Sequence, residues 1–235
     1  MHYTMTLLLL LIAMPILANE QRETEIYMDW QSRYVSEGRD NLPRGGIVWS
    51  GIEQQRGAWH WYGRQGIGDS TRFVEINLGV QYQWQLPAGV MLTTGYKRAQ
   101  IFAGSNSSNN ELSAGLAYQG WHWLTPSLTY SYASKARGAF MEFSLTGHWQ
   151  PTPLWLVAPY VTQGWDFGMA SPSHDGPNHF QFGMETAYSL TTQLQLALQL
   201  HRSIGLDDIT RQRPNADTEV HSNQNFGGLA LRYRF

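Results

Sequence analysis

Asn225-Phe226-Gly227-Gly228-Leu229-Ala230-Leu231-Arg232-Tyr233-Arg234-Phe235 is the stretch that decides the fold. In an extended strand Leu229, Leu231, Tyr233 and Phe235 fall on one face, and Gly228, Ala230, Arg232 and Arg234 on the other. In water the first face would be an exposed apolar stripe beside an unpaired edge, which soluble sheets avoid. In a bilayer one face meets lipid, the other meets a polar lumen, and a neighbour on each edge satisfies the backbone. The strand therefore predicts an all-β chain, an antiparallel up-and-down transmembrane β-barrel.

Upstream, the sequence from residue 19 alternates with period two, and turn residues recur at regular intervals. Twelve strands are predicted, near Glu25–Val35, Gly46–Gln54, Ala58–Gln65, Thr71–Trp84, Val90–Ile101, Glu111–Gln119, Leu124–Ala133, Ala139–Trp149, Leu154–Trp165, Phe180–Leu190, Gln193–Ser203 and the closing stretch. Ten or fourteen strands stay open, because Gly51, Gly95 and Pro159 interrupt the second, fifth and ninth. Tight turns near Gln55, Pro87, Gly120, Pro151 and Thr191 alternate with longer polar loops, as in barrels with short periplasmic turns and long extracellular loops. Trp59, Trp61, Trp84, Trp121, Trp123, Trp149 and Trp155 cluster at the tight-turn end, where an interfacial aromatic girdle is expected.

Residues 1–18 read as a secretory signal peptide. Leu7 to Leu17 is apolar but too short to span a bilayer as a helix, and the small Ala18 follows it. A buried helix of a cytoplasmic domain is the alternative for that run. Residues 19–235 then form one barrel, placed in a bacterial outer membrane with membrane lipid as its surroundings. The net charge of -2 gives no electrostatic bias toward nucleic acid, and the absence of Cys excludes disulfides and thiolate metal sites. No cofactor is expected.

If the apolar register of each strand faces lipid, the other register lines the lumen. The first strand then contributes Glu25, Asp29 and Arg33, and the third His60 and Arg64. Glu75, Asn77 and Gln81 come from the fourth, and Lys97 from the fifth. Later strands add Glu142, His148, Glu185, Gln195, Gln199 and His201, and the last adds Arg232 and Arg234. Acids and bases are mixed, which leaves two readings: the charges pair with one another, or a basic track faces an acidic one and orients zwitterionic or small anionic solutes. Either suits a narrow passive channel for small polar solutes. An arginine at lipid-facing Ile76 should be costly, and one at Asn77 tolerated.

His201-Arg202-Ser203 with Asn223 or Asn225 is similar to the His-x-Ser plus Asn set of the outer-membrane phospholipase A family. However, His201 and Ser203 share the predicted lumen register, away from lipid substrate. His174, Asp175 and His179 lack the spacing of a closed metal site and read as a solvated loop. A filled barrel with a structural or surface-binding role is a third class, its contacts carried by loops such as Arg211 to Asn225.

Ser32-Arg33-Tyr34-Val35-Ser36-Glu37-Gly38-Arg39, the Gly-Gly-Ile-Val strand after it and the closing Leu-Arg-Tyr-Arg-Phe resemble the small outer-membrane porins of the TorF type. The resemblance implies a channel-like barrel of twelve strands with no catalytic residues. The closing strand, through Leu231, Tyr233 and Phe235, is also similar to the signal that hands outer-membrane proteins to their barrel-assembly machinery.

Overall fold

A computed structural model describes residues 22–171, 175–211 and 223–235. The signal-peptide reading of residues 1–18 lies outside the described residues. In chain order the strands are β1 (Arg22–Gln31), β2 (Val35–Ser36), β3 (Arg39–Asp40), β4 (Ile47–Arg56), β5 (Trp59–Gly68), β6 (Val74–Leu86), β7 (Val90–Ala103) and β8 (Ser105–Tyr118). They continue as β9 (Leu124–Ala133), β10 (Gly138–Gly147), β11 (Trp149–Thr152), β12 (Trp155–Phe167), β13 (Asp175–Ser189), β14 (Leu194–Gly205) and β15 (Asn223–Arg234). One short helix, α1 (Asp207–Arg211), follows β14.

Twelve of these strands form a closed antiparallel barrel. Each pairs with its sequence neighbour among the twelve, β10 joins β12, and β1 joins β15 in the register Glu25↔Arg234 to Gln31↔Gly228. Closure leaves no free edge, so every spanning strand finds backbone partners without water. The four-residue β11 pairs only with β12 at the tight-turn end. Pro159 falls between Tyr160, the last β12 residue paired with β10, and Val157, paired with β11, so a residue without an N–H sits where one partner gives way to the next.

Side chains follow the alternation. On β15, Leu229 and Leu231 are exposed outward while Ala230 is buried beside Ala187 and Ala197 on the inner wall. All seven tryptophans assigned to the tight-turn end are exposed, and Trp59 stacks on Trp61 and Trp121 on Trp123 at ring separations of 5.9 and 6.1 Å. An apolar outer band with such a girdle is the exterior of a membrane barrel.

Two expected loops are shorter than the sequence suggests. The β7–β8 ladder runs unbroken to Ala103↔Ser105 around Gly104 (φ 82°), through a polar stretch read as a loop. Serine and asparagine pair there as well as apolar residues do, because backbone hydrogen bonds alone hold a ladder that projects into water. Strands β12 and β13 likewise extend to Phe167 and from Asp175, so His179 lies in β13 and is buried, contrary to the solvated-loop reading. His174 lies outside the described residues. In the other direction, β1 ends at Gln31 instead of Val35, and the chain leaves the wall there.

Candidate functional site

After β1 the chain turns into the barrel. The Ser32 N–H donates to Gly227 O at 2.8 Å, and the Ser32 hydroxyl accepts from the Gly227 N–H at 3.0 Å, which finishes the β1–β15 seam. Strands β2 and β3 then form a hairpin around Glu37-Gly38, with φ of 45° and 70°. Two consecutive positive φ angles define a tight turn of the primed type, whose twist suits a two-residue hairpin. Gly38 adopts that geometry freely, and nothing larger fits: a Cβ there would lie 2.6 Å from His179 Cβ on the barrel wall and 2.8 Å from Ile209 Cδ1 of α1. Glu37 has no such freedom, so its place is held by contacts elsewhere in the hairpin.

Those contacts lie at both ends. At the root, Tyr34 packs its ring edge-on against Trp49 (centroids 5.5 Å) and tilted on Phe73 (5.7 Å), beside the buried Leu42 and Ile47. Its hydroxyl donates to Glu75 Oε2 at 2.8 Å, and burial together with that carboxylate pushes the phenol well above the ordinary tyrosine range. Near the tip, the Arg39 guanidinium donates to Ala170 O and Ser171 Oγ and pairs with Asp208 at 3.3 Å. Asp208 is fully buried and also accepts from Ser171 Oγ (2.9 Å) and Asn178 Nδ2 (2.7 Å). The receiving loop is itself fixed, because the Asp166 carboxylate accepts the Met169, Ala170 and Ser171 N–H groups at 2.8, 3.0 and 2.6 Å. Arg33 braces the hairpin through Asp40 at 3.0 Å. Where the segment returns to the wall, Asp69 accepts from the Gly46 N–H (2.9 Å), Ser70 Oγ (2.7 Å) and Trp30 Nε1 (3.1 Å), hydrogen bonds that hold its carboxyl below the usual range.

The hairpin lies across the lumen and borders two cavities. One, of about 390 Å³, lies between Glu37 and the Lys97, Glu111, Glu142 and Gln181 wall. The other, of about 420 Å³, lies between Tyr34, Glu37 and the Arg64, Glu75 and Asn109 wall. Burial raises the Glu37 carboxyl above its ordinary value, opposed by the nearby Lys97 ammonium.

The residues assigned to the lumen from sequence fall as follows. Arg234 pairs with Glu25 at 2.7 Å, Arg232 with Glu185 at 2.8 Å, and Lys97 with Glu111 at 2.6 Å. Gln199 donates to Glu185 at 3.3 Å, and His60 lies 3.2 Å from Glu53 and 3.4 Å from Gln81. These contacts join neighbouring strands or, for Arg232 and Glu185, strands one apart across β14, so the pairing runs along the wall, not across the lumen. Asp29 accepts from Gln31 at 3.0 Å, Glu142 lies 3.8 Å from His179 Nε2, and His201 Nδ1 lies 2.7 Å from the Tyr160 hydroxyl. Arg64 stacks over Trp49 at 4.5 Å from the ring centroid, and among the described residues it has no ion-pair partner. Two residues sit off the wall. Arg33 belongs to the inward segment because β1 ends early, and His148 follows the end of β10 and contacts Thr125 at the rim. Asn77 is on the inner register but fully buried, so it has no open lumen for an arginine to enter.

The His201, Ser203 and Asn225 set does not assemble. His201 faces Tyr160 and Phe226, the Ser203 hydroxyl is buried without a partner, and Asn225 accepts from Arg202 on the outer register. Among the described residues no group of three or more acidic, His or Cys side chains is arranged to hold a metal. The sequence reading missed Tyr34, Glu37, Arg39 and Asp208. One signal for the hairpin was available: Glu37-Gly38 is a turn dipeptide flanked by residues able to pair, inside the stretch between Val35 and Gly46 read as the loop joining the first two strands.

No family model matches the sequence, and no curated protein matches it. Solved structures do match in shape. The chain is similar to the NanC porin, at 12% identity and a TM-score of 0.60, over 90% of this chain and 100% of that one. The fold is that of a twelve-stranded porin barrel. A KdgM porin solved in complex with disordered oligogalacturonate matches at 9% identity and a TM-score of 0.60, over 91% of this chain and 99% of that one. The COG4313 outer membrane channel from Pseudomonas putida F1 matches at 11% identity and 0.52, over 94% and 97%.

Proposed function

We propose that the chain is a narrow passive channel of the bacterial outer membrane, conducting small polar solutes past the β2–β3 hairpin. The observation that carries this reading is the combination of a closed barrel, an apolar exterior and a polar interior in which one inward hairpin borders two cavities of about 390 and 420 Å³. The shape shared with solved porins supports it. Ser131, Ser144, Thr162 and Gln181 line the smaller cavity with groups able to replace part of a small polar solute's water shell. The TorF-type resemblance is part of this proposal, and the segment that carries it, Ser32 to Arg39, is the inward hairpin. So is delivery to the membrane by the barrel-assembly machinery through the C-terminal strand, whose Leu231 and Phe235 are exposed outward. The separation of His201, Ser203 and Asn225 supports a non-enzymatic role.

Liposome swelling tests the reading. Vesicles containing the mature chain should admit glycine and a monosaccharide faster than protein-free vesicles, and a bulky oligosaccharide no faster. Uptake equal to that of protein-free vesicles, with protein shown to be folded, would overturn it. A plugged barrel is the second reading, favoured by the pinning of Arg39 against Asp208. It predicts no uptake until the hairpin is removed.

A further inference from the structure

The inner charges do not cancel, and the imbalance sits at the hairpin. Arg33, Arg39, Lys97, Arg232 and Arg234 each have a carboxylate partner at 2.6 to 3.3 Å. Among the described residues, Asp29, Glu37, Glu75 and Glu142 have no Lys or Arg within ion-pairing distance, against the single cation Arg64. Arg64 is covered by Trp49, and Glu75 is engaged by Tyr34 and Asn77. Asp29 accepts from Gln31 and lines neither cavity, which leaves two carboxylates at the smaller one, Glu37 on the hairpin and Glu142 on the facing wall.

We infer that the channel selects cations over anions at the hairpin, with Glu37 and Glu142 as the selecting carboxylates and small amines or zwitterions with an exposed ammonium as the favoured solutes. The inference rests on the channel reading. Charged side chains at a constriction set ion preference because the passing ion is partly stripped of water and close to them, in a space the low-dielectric wall keeps from being fully screened. A paired wall adds little to that field, since each Lys97–Glu111 or Arg232–Glu185 couple is a dipole whose effect falls quickly with distance. Where both are ionised, a carboxylate without a Lys or Arg partner on each side of the passage is a net charge. The position of Glu37 follows from the geometry described above: a turn with positive φ, Gly38 against His179, and Arg39 anchored on Asp208.

The test is the zero-current potential of the reconstituted full mature chain across a KCl gradient at mildly alkaline pH. The wild-type permeability ratio of potassium to chloride should exceed unity, and Glu37→Gln combined with Glu142→Gln should lower it at least about twofold. If the double variant fails to fold, Glu142→Gln alone should lower the ratio in the same direction. The wild-type chain gives a further measurement, since acidification should reduce its cation preference as Glu37 and Glu142 protonate. The groups facing Glu37 are Lys97 on β7, Glu111 on β8, Glu142 on β10 and His179 on β13, with Arg39 on its own hairpin. A conducting wild type that prefers chloride, or a ratio unmoved by folded variants, overturns the inference and leaves the channel intact. A folded wild type that passes no current overturns the channel reading, and the inference with it.

Discussion

The Tyr34 hydroxyl donates a 2.8 Å hydrogen bond to Glu75, tying the root of the inward hairpin to the barrel wall 41 residues further along the chain. Glu75 also accepts from Asn77 Nδ2 at 2.8 Å, so this acceptor is filled from both sides. Tyr34→Phe keeps the ring contacts with Trp49 and Phe73 and removes one donor to a charged acceptor, which should cost about 1–2 kcal/mol. Reversible urea unfolding in detergent or lipid measures this, and a variant as stable as wild type would show that the bond does not hold the root.

The Arg39 fork reaches Ala170, Ser171 and Asp208 together. Arg39→Ala withdraws a cation from a fully buried carboxylate, a change that typically costs about 3 kcal/mol or more. Arg39→Lys should recover only part of it, because a point charge cannot meet three acceptors in the plane of a guanidinium. Protease protection of the Ser32 to Gly46 segment should fall in the order wild type, lysine variant, alanine variant.

Lipid-facing and inner positions should respond oppositely to charge. Ile76→Arg places a cation on the exposed outer face of β6 and should cost about 2–4 kcal/mol if Ile76 lies near mid-bilayer. Thr129→Arg, on the inner register of β9 and exposed to the lumen, should be nearly neutral. Asn77→Arg, expected from sequence to be tolerated, should instead be destabilising because Asn77 is fully buried. Equal tolerance at Ile76 and Thr129 would contradict the assigned faces.

Burial raises the Glu37 carboxyl above its ordinary value. An acid whose folded value is raised favours the folded state in its protonated form. That contribution is full at pH below the ordinary carboxylate range and is lost as pH rises through the raised value. The hairpin should therefore be held most firmly in acid and loosen toward neutral pH, and Glu37→Gln should remove this part of the dependence. Hydrogen exchange of the Val35–Asp40 amides across pH, corrected for intrinsic rates, measures it.

Strand positions were legible because alternation is a local property: a side chain's face depends only on the parity of its position. The outer tryptophans followed for the same reason. The hairpin was hidden because its evidence is tertiary. The second strand seemed to alternate poorly since Ile47 and Trp49 are apolar on the inner face, and they are apolar there because Tyr34 and Leu42 cover them. Inner charges could be assigned to a register but not paired, since Arg232 meets Glu185 only through an interstrand register that no single strand reveals. His179 looked like part of a polar loop because the segment around it has Pro, Asn and Gly, yet the β12–β13 ladder continues past it to Phe167↔Asp175.

The most direct test of the account is single-channel conductance of residues 19–235 in a planar bilayer, compared with a variant whose Val35–Asp40 hairpin is replaced by a two-residue Gly-Ser turn. The wild type should give small discrete steps, and the variant steps larger by about twofold or more, because removing the hairpin joins the two passages into one lumen. Equal conductance in two folded proteins would contradict a constriction at the hairpin.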